Sequence, residues 1–136
     1  MDATSERRSM ILAETASPIH LTYCTNIHPG ESWAEVRENL RMHVVEVKRQ
    51  VSPLAPFGVG LRLSARAAEE LAVPAAFVAA QEFLATAGLY VFTINGFPYG
   101  AFHGTAVKER VYRPDWLEDE RLTYTDRLAT LLARLM

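Results

Sequence analysis

Cysteine is nearly absent from this sequence: Cys24 stands alone among 136 residues. No intramolecular disulfide can form, which suits a reducing compartment. A single thiol in an apolar strand is most simply a small core residue, and no catalytic role is expected of it. Long apolar runs are missing too. Nowhere do about 18 apolar residues follow one another, so no membrane span is expected. The stretch after Arg7 and Arg8 is too short, and too interrupted by Glu14 and Thr15, to be the core of a signal peptide. Cytoplasmic location is the resulting expectation. Nor is there an excess of one charge. The formal net charge is −2, with both signs spread along the chain and no basic block. That gives no support to a nucleic-acid or anionic-lipid surface. Lysine is scarce beside arginine, and with the abundant alanine this is most simply the composition of a GC-rich genome. Also lacking are a GxGxxG phosphate loop after the first strand and any pair of strand-end carboxylates that could hold a cation.

What is present is a threefold alternation. Three apolar runs, HLTYCTNIH, FGVGLRLS and LYVFTINGFPYG, each close on polar residues and are each succeeded by a helical pattern. Ile19 to Asn26 reads as the first strand, and His28-Pro29-Gly30 as the turn after it. Ser32 with Glu35 forms a capping box. It opens a helix whose Trp33, Val36, Leu40, Val44, Val47 and Val51 share one face. Pro53 and Pro56 end that helix. Phe57 to Leu63 reads as the second strand, Ser64 as the cap of a short helix through Leu71, and Pro74 as the first-turn residue of the next. Phe77, Ala80, Leu84 and Ala87 make its apolar stripe, and Gly88 its stop. Leu89 to Asn95 is the third strand. A long connection comes after it, then Asp115 with Glu118 as a second capping pair, and a last helix with Leu122, Leu128, Leu131, Leu132 and Leu135 facing inward. The first 17 residues read as a flexible tail and residues 18–136 as one domain.

Strands apolar enough to be buried on both faces indicate a parallel sheet. The fold class expected is therefore α/β. The strand starts, near residues 19, 57 and 89, are spaced close to the roughly 31 residues per unit of a (β/α)8 barrel. The reading is a partial TIM barrel of about three βα units with a three-stranded parallel sheet; a doubly wound sheet fits the pattern too, and the missing phosphate loop is what speaks against it.

Parallel α/β sheets bind ligands at the carboxyl ends of their strands. Those ends carry Asn26 and His28, then Arg62 and Ser64, then Asn95, Phe97, Tyr99 and His103. Hydrogen-bonding groups and aromatic faces on three successive strand ends can line a sugar-like or polyol ligand. Each has a plainer role open to it. Asn26 can close a turn, as can His28 beside Pro29. Arg62 in an apolar strand needs an anion, which a structural carboxylate could supply as well as a substrate phosphate. Ser64 can simply cap a helix, Asn95-Gly96 is a common turn dipeptide, Tyr99 can pack over the sheet, and His103 can bond to backbone. His20 and His43 receive no role.

The strings LTYCTNIHPGESW, LYVFTINGFPYGAFHG, VKERVYRPDW and RLTYTDRLATLLARL together resemble the N-terminal third of the EboE-type metabolite traffic proteins. That family belongs to the xylose isomerase-like, sugar phosphate isomerase/epimerase barrel superfamily. The resemblance runs from about Ile19 to the end of the chain. It implies a (β/α)8 barrel in a bacterial operon that helps move a secondary-metabolite precursor. It also implies chemistry in which relatives interconvert aldoses and ketoses, or epimerise them, with a divalent metal. The superfamily's metal ligands come from later strands, so no ligand carries over to this chain. A divalent metal is expected only in a full-length barrel, and this portion alone is expected to be inactive. What carries over is a substrate-facing set: Asn26, His28, Asn95, Tyr99 and His103. Self-association, or pairing with the rest of a barrel, is the partner expectation. A non-catalytic binding or scaffold subunit that oligomerises through an open sheet edge is the alternative.

Overall fold

The computed structural model describes residues 9–12, 16–97 and 112–136. Its centre is a parallel sheet in the order β3 (Tyr23–Cys24), β4 (Phe57–Leu63), β5 (Leu89–Gly96). β4 is buried along its whole length. Alternation then sorts its residues. Phe57, Val59, Leu61 and Leu63 join one apolar cluster with Val36, Leu40, Val44, Leu71, Phe77, Leu84, Tyr124, Leu128 and Leu131. The side chains of that cluster come from every long helix: α1 (Trp33–Asn39), α3 (Ala65–Ala72), α4 (Pro74–Ala87) and α5 (Asp119–Leu135). Gly58, Gly60 and Arg62 project to the opposite face. There the space above the two glycines is taken by Leu21, Thr22, Tyr90 and Thr93. Helices cover one face and strand residues the other.

The second and third strands form where the sequence places them, and the first does not. The run read as a strand from Ile19 to Asn26 is broken into β2 (Ile19–His20), β3 and a 3-10 turn (Thr25–Ile27). β2 pairs antiparallel with β1 (Ile11–Leu12), inside the stretch read as a tail, and Met10 is buried in the core. The break has a tertiary cause. Leu21 crosses directly over Gly58, and Thr25 turns inward. The Thr25 hydroxyl donates to the Gly60 carbonyl at 3.3 Å and accepts from the Arg62 N–H at 2.8 Å. A side chain thus continues the ladder where the backbone leaves it.

The capping signals hold at Ser32, where the box with Glu35 is complete, and at Ser64, which accepts from the Ala67 N–H. Pro74 is in the first turn of α4, and Gly88 ends it in the left-handed region at φ 66°. The long first helix departs from regularity. A π turn (Leu40–Val44) separates α1 from α2 (Val45–Val51), with the Val45 N–H reaching back to the Leu40 carbonyl. The extra residue of a π turn rotates the remainder of the helix about its axis, so Val51, read as part of the buried stripe, is exposed. Leu122, read as inward-facing, is 64% exposed. α5 buries Tyr124, Leu128 and Leu131, and Leu122 lies two residues from Tyr124, nearly half a turn away. The second capping pair is only half formed. The Glu118 carboxylate accepts from the Asp115 N–H at 2.9 Å, but α5 starts at Asp119 with no side-chain cap. Among the described residues no helix is long and apolar enough to cross a membrane.

Candidate functional site at the strand carboxyl ends

The glycines of β4 shape the inner face, the one without helices. With no side chain at Gly60, groups from both neighbouring strands meet over the central one. The Asn95 amide donates to the Cys24 sulfur at 3.3 Å, although β4 lies between their strands. Arg62 is in register with Asn95. Asn26 sits in the 3-10 turn after β3, with its side-chain carbonyl oxygen buried and without a hydrogen-bond partner among the described residues. Asn95 and Cys24 are thus in contact at the carboxyl end, with Arg62 in register beside Asn95 and Asn26 in the turn that follows β3.

Arg62 is 3% exposed and spent internally. One Nη donates to the Gly30 carbonyl and the other to the Glu31 carboxylate, each at 2.8 Å. The Ser64 hydroxyl donates to the Glu31 carbonyl while also capping α3. The turn from β3 to α1 is therefore pinned to the end of β4 by a charge and a hydroxyl. Of the two roles the sequence leaves open for Arg62, a structural carboxylate is present in Glu31.

His28 faces the other way. Its Nε2 lies 2.8 Å from the Tyr23 hydroxyl, and its ring stacks on His43 with centroids 4.6 Å apart. Tyr23 packs against the helix-side core, and its burial pushes the phenol pKa above the ordinary value. The structure thus places His28 between β3 and the π turn, where it also lines a small hollow with Thr25, Gly30 and Arg62. Tyr99 and His103 lie outside the described residues. At the amino end of the inner face, His20, Tyr90 and Phe92 form an aromatic cluster, with His20 Nδ1 3.1 Å from the Tyr90 hydroxyl.

Two residues of this region escape a reading by residue type. Cys24, read as a core residue, is exposed. Strand alternation carries the signal: Tyr23 packs into the core, so its neighbour must face out. Glu31 is the second, and the need of a buried Arg62 for an anion points to it. Among the described residues no group of three or more histidine, cysteine or acidic side chains is placed to hold a metal.

The same turn carries a pH-dependent element. The Glu35 carboxylate accepts from the Ser32 N–H at 2.8 Å, the Glu31 N–H at 2.9 Å and the Ser32 hydroxyl at 2.9 Å. These bonds, the one from the Ser32 backbone first, hold its pKa below the usual carboxylate range. A carboxyl whose pKa is lowered by folding stabilises the fold above its unfolded value, and that contribution is lost as pH falls through the folded value. The gap in denaturation midpoint between the wild-type chain and Glu35→Ala is expected to be full at neutral pH and to close in acid. A gap that persists unchanged in strong acid would show that packing, not the carboxylate, is what Glu35 supplies.

No family model, curated protein or solved structure gives a significant match to this chain.

Proposed function

We propose that this chain builds the first three strand–helix units of a (β/α)8 barrel of the xylose isomerase-like class, and that its inner face forms part of the wall around a sugar-like or polyol metabolite. One observation carries the reading. Three sequential strands run parallel in the order β3-β4-β5, with helices on one face and hydrogen-bonding side chains on the carboxyl end of the other. That is how a barrel distributes its packed exterior and its ligand end. Asn26 and Asn95 are the direct ligand contacts in this reading. Arg62 holds the turn beneath them, and His28 supports that turn from the helix side. Isomerase or epimerase chemistry would need a divalent metal and ligands from further strands.

The test is a backbone amide titration of the chain by NMR with a panel of aldoses, ketoses and cyclitols. Expected are weak, saturable shifts at Cys24, Asn26 and Asn95, with no sugar isomerisation. Shifts confined to the His20, Tyr90 and Phe92 end, or none at high ligand concentration, would overturn the proposal. So would turnover by the chain alone.

A second reading rests on β5. Its outer edge has no partner among the described residues, and its eight residues, LYVFTING, contain no charge and no proline. Such an edge invites another strand. On this reading the chain is a non-catalytic scaffold that associates edge to edge. A defined oligomer at low micromolar concentration, with no ligand response, would favour it over the first.

A further inference from the structure

On the helix side of β5, away from the inner face, an open groove of about 310 Å³ runs between the strand and α5. Ile94, Leu128 and Leu132 give it an apolar floor, and Trp116 and Arg121 stand along it. Trp116 is 68% exposed, an unusual state for an indole. The Arg121 guanidinium lies 5.0 Å from the centre of that ring.

Arg121 is out of place in three respects. Its Nε is buried and has no hydrogen-bond partner among the described residues. Its side chain makes one long hydrogen bond there, 3.4 Å from Nη1 to the Pro114 carbonyl, and no ion pair among the described residues. It also occupies the first turn of α5, where the helix dipole disfavours a cation and favours an anion. The acidic residues of that turn do not answer it. Asp119 and Glu120 line a different hollow, with Glu69 and Arg127. Neighbouring Glu118 is taken by Arg113.

We propose that this groove binds a small amphipathic anion. The aromatic or aliphatic body would lie on Ile94, Leu128 and Leu132 beside the Trp116 ring, and its carboxylate, sulfonate or phosphate would pair with the Nη end of the partly exposed Arg121 guanidinium. An apolar groove with one convergent polar group is the ordinary form of a small-molecule site. Charge complementarity names the occupant: among the described residues the groove's lining offers a single cation and no acidic partner for it.

The test uses two fluorescent probes of similar shape on the full chain. Anilinonaphthalene sulfonate carries the anion, and phenylnaphthylamine does not. Arg121→Gln keeps most of the side-chain length, and the residue is only partly buried, so the fold is expected to survive. It should weaken the sulfonate about tenfold, the worth of one hydrogen bond to a charged group, and leave the neutral probe unchanged. Trp116→Ala should weaken both. Arg49→Gln, on α2, should alter neither. Equal sulfonate affinity for wild type and Arg121→Gln overturns the proposal, as does absence of sulfonate binding. If neither dye enters and the wild type sediments as a dimer that Trp116→Ala dissociates, the groove is an interface between copies and the small-anion assignment is wrong.

Discussion

Glu31→Ala is expected to destabilise the chain by about 3 kcal/mol, the lower end of the cost of breaking a buried ion pair from one side. Arg62 is almost wholly inside, while Glu31 keeps a third of its side chain in water. The two ends of the pair are therefore not equivalent. Removing the carboxylate takes the Glu31 charge away from a guanidinium held inside the sheet, next to the carbonyls of the turn. Removing the guanidinium leaves a carboxylate that can turn toward solvent. Arg62→Met, which keeps length and loses charge, is expected to cost less, about 1–2 kcal/mol. The double variant is then expected to be more stable than Glu31→Ala alone, because the second substitution removes the buried charge that Glu31 balanced. Denaturant midpoints of the four proteins decide it. A double variant weaker than both singles would mean that the guanidinium matters through its hydrogen bond to Gly30 and its packing, and that its charge is incidental.

The same pair shows how far residue type and spacing reach. An arginine inside FGVGLRL announces a buried cation, and Glu31 is visible in the turn after the first strand. Only the fold brings together groups 31 residues apart. Local signals with a fixed chemical grammar are legible. Ser32 with Glu35, Ser64, Pro74 and Gly88 each do what their chemistry dictates at a helix end. β4 and β5 are legible for the same reason: continuous apolar runs with β-branched residues tolerate burial on both faces. The first strand is not. Its composition is strand-like throughout, and what breaks it is non-local, the crossing of Leu21 over Gly58 and the capture of the Thr25 hydroxyl by β4. No periodicity in residues 19–26 encodes either contact.

The candidate site divides along the same line. Asn26, Arg62 and Asn95 reach the carboxyl end because they sit at strand ends in a parallel sheet, which spacing alone conveys. His28 is equally close in sequence, and its ring turns to Tyr23 and His43. A π turn in the next helix presents His43, and Tyr23 offers its hydroxyl from the helix side. A π turn is a rare single-turn irregularity inside a helix, and the apolar spacing from Trp33 to Val51 gives no sign of it. Cys24 departs for a different reason: its residue type points to the core, while strand alternation points it outward. The signal at Arg121 likewise lies not in residue type but in position, a cation in the first turn of a helix whose acidic neighbours face elsewhere.

Gly58→Ala is expected to be as damaging as the loss of Glu31, with a cost of about 2–4 kcal/mol, at or above the usual range for overpacking a core. A methyl group there would stand 2.3 Å from the Leu21 carbonyl oxygen and 3.1 Å from the Tyr90 hydroxyl. The first contact is with backbone, which cannot rotate away as a side chain can. Relief requires the segment after β2 to lift, and that segment is tied down. The Leu21 N–H donates to the Met10 carbonyl, and Tyr90 bonds His20 beside it. Lifting would draw Met10 out of the core and part β1 and β2 from the inner face. Gly60→Ala supplies the contrast. Its nearest contacts are Thr22 and Thr93 side chains at 3.3–3.5 Å, so a loss of about 1 kcal/mol or less is expected from a small shift of flexible groups. Two glycines two residues apart on one strand, facing the same way, should thus differ severalfold in the cost of a single methyl. Equal midpoints for the two variants would mean that the ribbon rests loosely on the sheet, and that the breaking of the first strand has some cause other than the crossing at Gly58.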